Sequence, residues 1–586
     1  HWAGGEPADA VGLFARSLAI EQAHIEENLA RGSEREHRLF VRKFEGARDM
    51  RITLALALGE AHEAGARMAA EAVVLGKALA AGATQAVFRR NRRQMALFSA
   101  VQSTQAELAQ ASYREGVSQE AKRTLQTRLE GLERQLAAVG QSTEADTRVS
   151  LAGLGRLLSD TAAVVEWVVY DPFDPKEADQ SKRYGDPHLA AVVIRKGHAP
   201  RWFGLGPLKR LTPVIDRLSA AAASPRGGYV ALAQAVHAAV FAPLAPALEG
   251  VDTLILSPDG PLHRVPFSAL VDAEGAWLLT RYALRTVTTS RDLFDLAQQT
   301  LPPREGPLLV ADAAFDRKPP RGSRLAAADK TRGGGAQRSS ELAGLSGFSR
   351  LPGTRGEVQA VATLLEVGRD RTLTKAQATE TAVKGVKGPS ILHIATHGFF
   401  LPDQAGDGDK PTRTEDPMLR SGLALAGFNH RARATTQDDG VLTALEVAGL
   451  DLYGTQLVVL SACETGLGKV DQGEGVYGLR RALVLSGARS QVVSLWKVDD
   501  AATQALMTAF YTRLMAGEDR VAALRGVQRD MLEGRLTAQS RGKRAKRGLK
   551  LSGPRDDAGP DLSGWRHPYY WASFGVSGAD GPVVFE

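Results

Sequence analysis

Seven short runs of mostly aliphatic residues recur through the later part of this 586-residue chain: VVEWVVYD (164–171), HLAAVVIRKG (188–197), VDTLILSPDG (251–260), GPLLVADAAF (306–315), PSILHIATHG (389–398), QLVVLSACETG (456–466) and SQVVSLWKVDD (490–500). Each has the length of a strand. Between them lie helical runs such as YVALAQAVHAAVFAPLAPALE and GVYGLRRALVLSGA. A strand that is apolar at consecutive positions must be buried on both faces. The alternation therefore predicts an α/β fold whose mostly parallel sheet carries helices on both sides. In such sheets reactive groups collect where the carboxyl ends of strands give way to loops.

The first 148 residues read differently. They are rich in Ala, Glu, Arg, Leu and Gln and hold no proline after Pro7, which predicts an all-helical region. The stretch ARSLAIEQAHIEENLARGSEREHRLFVRKFEG reads as one helical pair, as at the end of a helical-repeat array. Leu125, Leu129, Leu132 and Leu136 make a seam that suits a helical hairpin packed on a neighbour. Three units are expected: 1–148 helical, 149–304 the first α/β part, and 305–586 the part holding the later strands. Residues 316–350 and 534–564 are polar and rich in Gly, Ser, Arg and Lys, and read as unstructured loops; 401–440 reads as a connecting segment.

Composition removes several function classes. One cysteine excludes an internal disulfide and a Cys-rich zinc site, and suits a reducing cytoplasm. No apolar run reaches the roughly 18 residues of a membrane helix. No signal peptide opens the chain, and a start at His1 without methionine suggests a fragment or a processed form. The net charge of +7 is partly concentrated in RRNRR (89–93) and RGKRAKRGLK (541–550). Neither run is interleaved with the aromatics that a single-stranded nucleic acid would stack on, so nucleic acid is not expected as a ligand. HExxH, CxxC, Walker-type and GxGxxG-plus-acid patterns are absent, so no cofactor or metal is expected. His263, in PLHRVPF, has no ligand partner at metal spacing and reads as structural.

Two strand ends carry chemistry. His397 follows ILHIAT and precedes Gly398; Cys463 follows LVVLSA and precedes ETGLG. Taken singly, His397 reads as a core histidine bonded to a carbonyl, and Cys463 as a small buried hydrophobe. Taken together in one parallel sheet, they place a thiol and an imidazole on the same edge, the makings of a nucleophile and its base. Backbone N–H groups of Gly398 and Cys463 could then face a substrate oxygen. His393, earlier on the same strand, reads as a supporting residue, and Phe399 and Phe400 as walls of the cleft.

THGFF, SACETGLG, GEGVYGLRRALVLSGARSQVVSLWKVDD and PYYWASF resemble the CHAT-type caspase-like cysteine peptidases of bacteria, relatives of caspases, gingipains and separase. The resemblance covers about residues 150–586, and the helical region resembles the end of the tetratricopeptide array that often precedes such domains. It implies a caspase-like fold, a first half (149–304) resembling a peptidase half without the dyad, and a catalytic dyad of His397 and Cys463. The stretch equivalent to SLWKVDD in separase holds the acid that receives an arginine side chain, which assigns Asp500, with Asp499 beside it, to a pocket for Arg or Lys before the scissile bond. The competing role is capping the helix that begins there, which suits Asp499 better than Asp500. Glu474 and Asp471 suit the start of the helix GVYGLRRAL. The expected function is a cysteine endopeptidase gated by a partner or by processing of the basic loops. Its expected partners are a protein substrate and a protein activator held by the helical region, with no membrane. The rival is a catalytically silent scaffold that binds a protein through its helices and relays a signal.

Overall fold

The computed structural model of the chain describes residues 2, 4, 6–29, 32–77, 79, 82–85, 87, 95–114, 117–139, 149–299, 301–318, 347–401, 417–433, 438–462, 469–471, 475–537 and 564–585. Its strands, in chain order, are β1 (Ala162–Tyr170), β2 (His188–Arg195), β3 (Arg201–Pro207), β4 (Thr253–Ser257), β5 (Ala283–Thr286), β6 (Leu308–Ala313), β7 (Thr372–Lys375), β8 (Ile391–Thr396), β9 (Gly398–Phe400), β10 (Ser421–Ala424), β11 (Val441–Thr443), β12 (Leu457–Ala462), β13 (Lys469–Asp471), β14 (Gly475–Tyr477), β15 (Ser490–Ser494) and β16 (Phe574–Gly578). Eleven of them form one sheet in the order β3-β2-β1-β4-β5-β16-β15-β12-β8-β6-β7.

The sheet is mostly parallel, as its continuous apolar runs predict; β2, β3 and β16 supply the antiparallel pairings. The reason at β2 is its connection. Residues 171–187 hold only the short turn Gln180–Lys182, not the crossover helix that a parallel neighbour needs. The edge strand β3 is not legible in the sequence, because RWFGLGP is glycine-rich and mostly half-exposed. The segment expected to be a connection holds a strand: β10 forms a small antiparallel sheet with β9 before that segment and β11 just after it.

Side-chain alternation splits the core. Ile391, Ala395, Leu457, Val459 and Val492 face the helices Pro352–Leu364, Asp500–Met515 and Arg520–Leu532. Leu392, Ile394, Val458, Leu460 and Val493 face the other way, into a cluster that includes Val101, Leu108, Leu129 and Leu136 of the N-terminal region. The predicted leucine seam is therefore the buried side of helix Gln119–Val139, which pairs with helix Met95–Tyr113. Further along the sheet, Ile52, Leu54, Met68 and Val73 pack on Val164, Val168 and Val192. The N-terminal helices thus form the layer over one face of the sheet and share its core.

A buried ion pair ties this layer down. Glu166 interrupts the apolar run of β1, and its carboxylate meets Lys77 Nζ at 2.9 Å with both side chains shut off from solvent. Lys77 also donates to the carbonyls of Trp167 (2.9 Å) and Pro258 (3.1 Å) and to the Ser257 hydroxyl (2.8 Å). Such a pair is tolerated in the interior because its remaining protons and lone pairs are satisfied. Among the described residues no helix is long and apolar enough to cross a membrane, and none of them form a cluster suited to a metal ion.

Candidate active site

β8 and β12 are adjacent and parallel, with Ser461 opposite Ala395 and Ala462 opposite Thr396. β8 ends one residue before His397, and β12 ends one residue before Cys463. Cys463 and Glu474 lie outside the described residues, as does the Asp471 side chain.

His397 is 9% exposed. Its Nε2 lies 2.9 Å from the carbonyl oxygen of Ser349. A carbonyl only accepts, so Nε2 carries the proton and the lone pair of the neutral ring belongs to Nδ1. The ring stacks on Phe348, with centroids 4.4 Å apart and planes at 15°, and Phe315 lies 5.4 Å away. Burial lowers the imidazole pKa below its ordinary 6.5; the Ser349 bond opposes that shift, Lys497 adds to it, and Asp500 opposes it. The ring is therefore held neutral at pH 7, the protonation state of a base.

The segment that fastens His397 falls at the end of a stretch expected to be an unstructured loop. Of that stretch, Phe348 and Ser349 meet His397, while 319–346 lie outside the described residues. The anchor is Arg350, whose guanidinium donates to Asp312 at 2.8 Å and 2.6 Å from Nη2 and 3.2 Å from Nε. Asp312 is the extra residue of a bulge in β6, at φ 48°, and its N–H donates to the Thr354 hydroxyl at 3.0 Å. A bulge re-aims the residue it contains, here away from the ladder and toward the 347–354 segment. A composition-based reading of 316–350 could not find this, because its signal is one aspartate and one arginine 38 residues apart.

His393 sits beneath the site with no exposure. Its two ring nitrogens lie 3.0 Å from the Tyr511 hydroxyl and 3.0 Å from Glu357 Oε1, and the Ser461 hydroxyl donates to Glu357 Oε2 at 3.2 Å. This buried network joins β8, β12 and the helices Pro352–Leu364 and Asp500–Met515. Glu357, Tyr511 and Ser461 were not foreseen: a lone glutamate or tyrosine on a helix gives no sign that it reaches a strand histidine.

Gly398 opens β9. The Ala424 N–H donates to His397 O at 2.9 Å, and the Leu401 N–H donates to Arg420 O at 2.8 Å. In an antiparallel ladder bonding toward a given neighbour alternates, so the N–H of Gly398 is turned away from β10. Phe399 is not a cleft wall. It is 5% exposed and packs into the core against Phe428 and Tyr113, and Phe348 takes the place beside His397.

Of the two acids after β15, Asp499 is the N-cap of helix Asp500–Met515, its Oδ1 accepting from the Ala502 N–H at 2.9 Å. Asp500 is exposed, makes no salt bridge among the described residues, and lies against Gly353, where an added Cβ would meet its Oδ2 at 2.0 Å. Partial burial raises its carboxyl pKa, and the neighbouring Asp499 and Glu357 raise it further, while Lys497 and His397 lower it.

Comparison with known proteins adds the family. The chain is 40% identical over 84 residues to "Tetratricopeptide repeat protein 28" of Homo sapiens, and 37% identical over 84 residues to its Mus musculus counterpart. Each match takes in 14% of this chain and 3% of the relative, so the chain spans only a small fraction of the length of these relatives. Among solved structures, the Saccharomyces cerevisiae separase–securin complex is similar at 8% identity and a TM-score of 0.38, over 99% of this chain and 41% of that one. The Arg-specific cysteine proteinase gingipain R is similar at 10% identity and a TM-score of 0.30, over 64% and 76%. The sequence description of the CHAT domain matches residues 230–579, from the helix before β4 to the end of β16, and so takes in both strand ends of the site: the chain belongs to the CHAT domain family.

Proposed function

We propose that the chain is a cysteine endopeptidase in which Cys463 attacks and His397 serves as base. The observation that carries this reading is the pairing of Ala462 with Thr396, the residues immediately before Cys463 and His397 on adjacent parallel strands. His397 and Cys463 are each the next residue in sequence after that pair. His397 Nδ1 takes the thiol proton, and the thiolate attacks the scissile carbonyl carbon. The N–H groups of Gly398 and Cys463 receive the oxyanion. As the C–N bond breaks, the imidazolium returns its proton to the leaving amine; water then hydrolyses the thioester with His397 again as base.

Asp500 is the residue for a substrate's Arg or Lys side chain. Asp499 is already committed as the cap, whereas the Asp500 carboxylate makes no salt bridge among the described residues and lies against Gly353, in the helix that follows the segment holding His397. A cation placed there would relieve a carboxylate that its neighbours disfavour. Gating by a partner on the helical region is supported by continuity of packing. The Tyr113 hydroxyl donates to Leu419 O at 2.5 Å and its ring meets Phe399, so helix Met95–Tyr113 bears directly on the β9–β10 sheet that follows His397.

The test is cleavage of a peptide library and of intact proteins by wild type and by Cys463→Ala. Cysteine-dependent cleavage after Arg or Lys is expected. Equal cleavage by both proteins would remove the peptidase; cysteine-dependent cleavage after acidic or large apolar residues would remove only the pocket.

A further inference from the structure

Between the β4–β5 part of the sheet and the helix Arg520–Leu532 lies a partly open cleft. Most of its lining is apolar, including Leu262, Phe267, Leu284, Leu524, Phe574 and Val576. Its polar lining holds His263, Arg285, Arg480, Arg525 and Gln528 beside the hydroxyl residues Ser268, Tyr282 and Thr286, and no carboxylate among the described residues.

Three of these groups are spent on the protein. Arg285 donates to Gly578 O at 2.9 Å and meets Asp580 at 3.3 Å. Arg525 donates to the carbonyls of Leu279 and Thr280, and Gln528 to those of Trp571 and Phe574. His263 and Arg480 are not. His263 is 6% exposed and its buried Nε2 has no hydrogen-bond partner; the buried Nε of Arg480 has none either, and no carboxylate among the described residues pairs with its guanidinium. A guanidinium with a buried, unpartnered Nε and no counter-charge among the described residues, beside an orphaned imidazole nitrogen, is an unfavourable arrangement that a bound anion would relieve. Burial and the adjoining charges of Lys77 and Arg480 keep His263 neutral, so it can donate to or accept from a ligand without adding repulsion.

We propose that this cleft binds a small monocarboxylate with an apolar body, its carboxylate held by Arg480 and His263 and its hydrocarbon part by the aliphatic and aromatic walls. The acid chemistry follows from the unspent guanidinium, and the apolar body from the lining. The two anchoring residues flank the chain that leads from Cys463: strand β13 packs on the turn Gly260–Arg264, which carries His263, and helix Leu479–Leu485, which carries Arg480, packs on β14. An occupied cleft therefore braces the β13–β14 hairpin from both sides. The site stands on its own residues, whether or not the chain is a peptidase.

Octanoate is the probe, titrated calorimetrically into the whole chain, with octanol and acetate as partners that lack the charge and the apolar body. Saturable one-to-one binding of octanoate is expected, with octanol and acetate weaker by about tenfold or more. Arg480→Gln should weaken octanoate by a similar factor, and Arg480→Lys should keep most of the affinity. Hydrogen exchange should slow on binding in 260–264 and 479–485. Octanol binding as tightly as octanoate, octanoate unaffected by Arg480→Gln, protection appearing elsewhere, or no saturable binding would each overturn the proposal. If Arg480→Gln fails to fold, the ratio of octanoate to octanol in the wild type decides it.

Discussion

Replacing Arg350 with methionine removes the anchor of the segment that holds His397 while keeping the bulk of the side chain. The Asp312 side chain is 1% exposed, so it would be left as a buried carboxylate without its cation. Removing one partner of a fully buried pair costs about 3–5 kcal/mol. The Arg350 side chain is 46% exposed, however, so water already screens part of the interaction, and about 1–3 kcal/mol is the fitting range. That loss falls on the docking of 347–351, which supplies both the Ser349 carbonyl and the Phe348 ring to His397. At about 1.4 kcal/mol per factor of ten, activation of Cys463 should fall by about five- to a hundredfold. Iodoacetamide reads this without any known substrate: the chain has a single cysteine, so one added mass per chain reports Cys463 alone. The double variant Arg350→Met with Asp312→Asn, which leaves no buried charge, should recover much of the rate. Alkylation of Arg350→Met within twofold of wild type at pH 7 would refute the role given to this pair, and so would a double variant as slow as the single one.

Three other outcomes are expected. In Cys463→Ala, nuclear magnetic resonance of the His397 ring should give a midpoint below 6.5, because burial disfavours the imidazolium. The lowered folded value makes His397 favour folding above 6.5, a contribution lost as pH falls through the folded midpoint; a midpoint above 6.5 would contradict the burial argument. Lys77→Met should destabilise the chain to urea by about 3–5 kcal/mol, with more than half regained when Glu166→Gln is added; a loss under about 1 kcal/mol would show that the pair does not fasten the helices to the sheet. Gly353→Ala would push its new Cβ into Asp500 Oδ2, so preference for basic side chains should weaken while Cys463 alkylation stays near wild type. Unchanged preference would remove Asp500 from the pocket.

What the sequence determined by itself is the layered architecture and the two strand ends. Continuous aliphatic runs such as ILHIAT and LVVLSA read as strands covered on both faces, and a parallel sheet delivers its carboxyl ends to one edge, so the strand ends before His397 and Cys463 were legible as sharing that edge. The seam of Leu125, Leu129, Leu132 and Leu136 likewise announced a buried helix face by local periodicity. The structure alone decided what those elements meet. Helices that read as a region apart form one of the two layers over the sheet, because their apolar faces and that of the sheet each need a cover. The Ser349 carbonyl, the Asp312–Arg350 anchor and the Glu357–His393–Tyr511 network join residues far apart in the chain, and no period or spacing encodes such contacts. The sequence favoured Asp499 over Asp500 as the cap only weakly, because adjacent carboxylates at a helix start are chemically alike until the fold gives one to the Ala502 N–H and sets the other against Gly353.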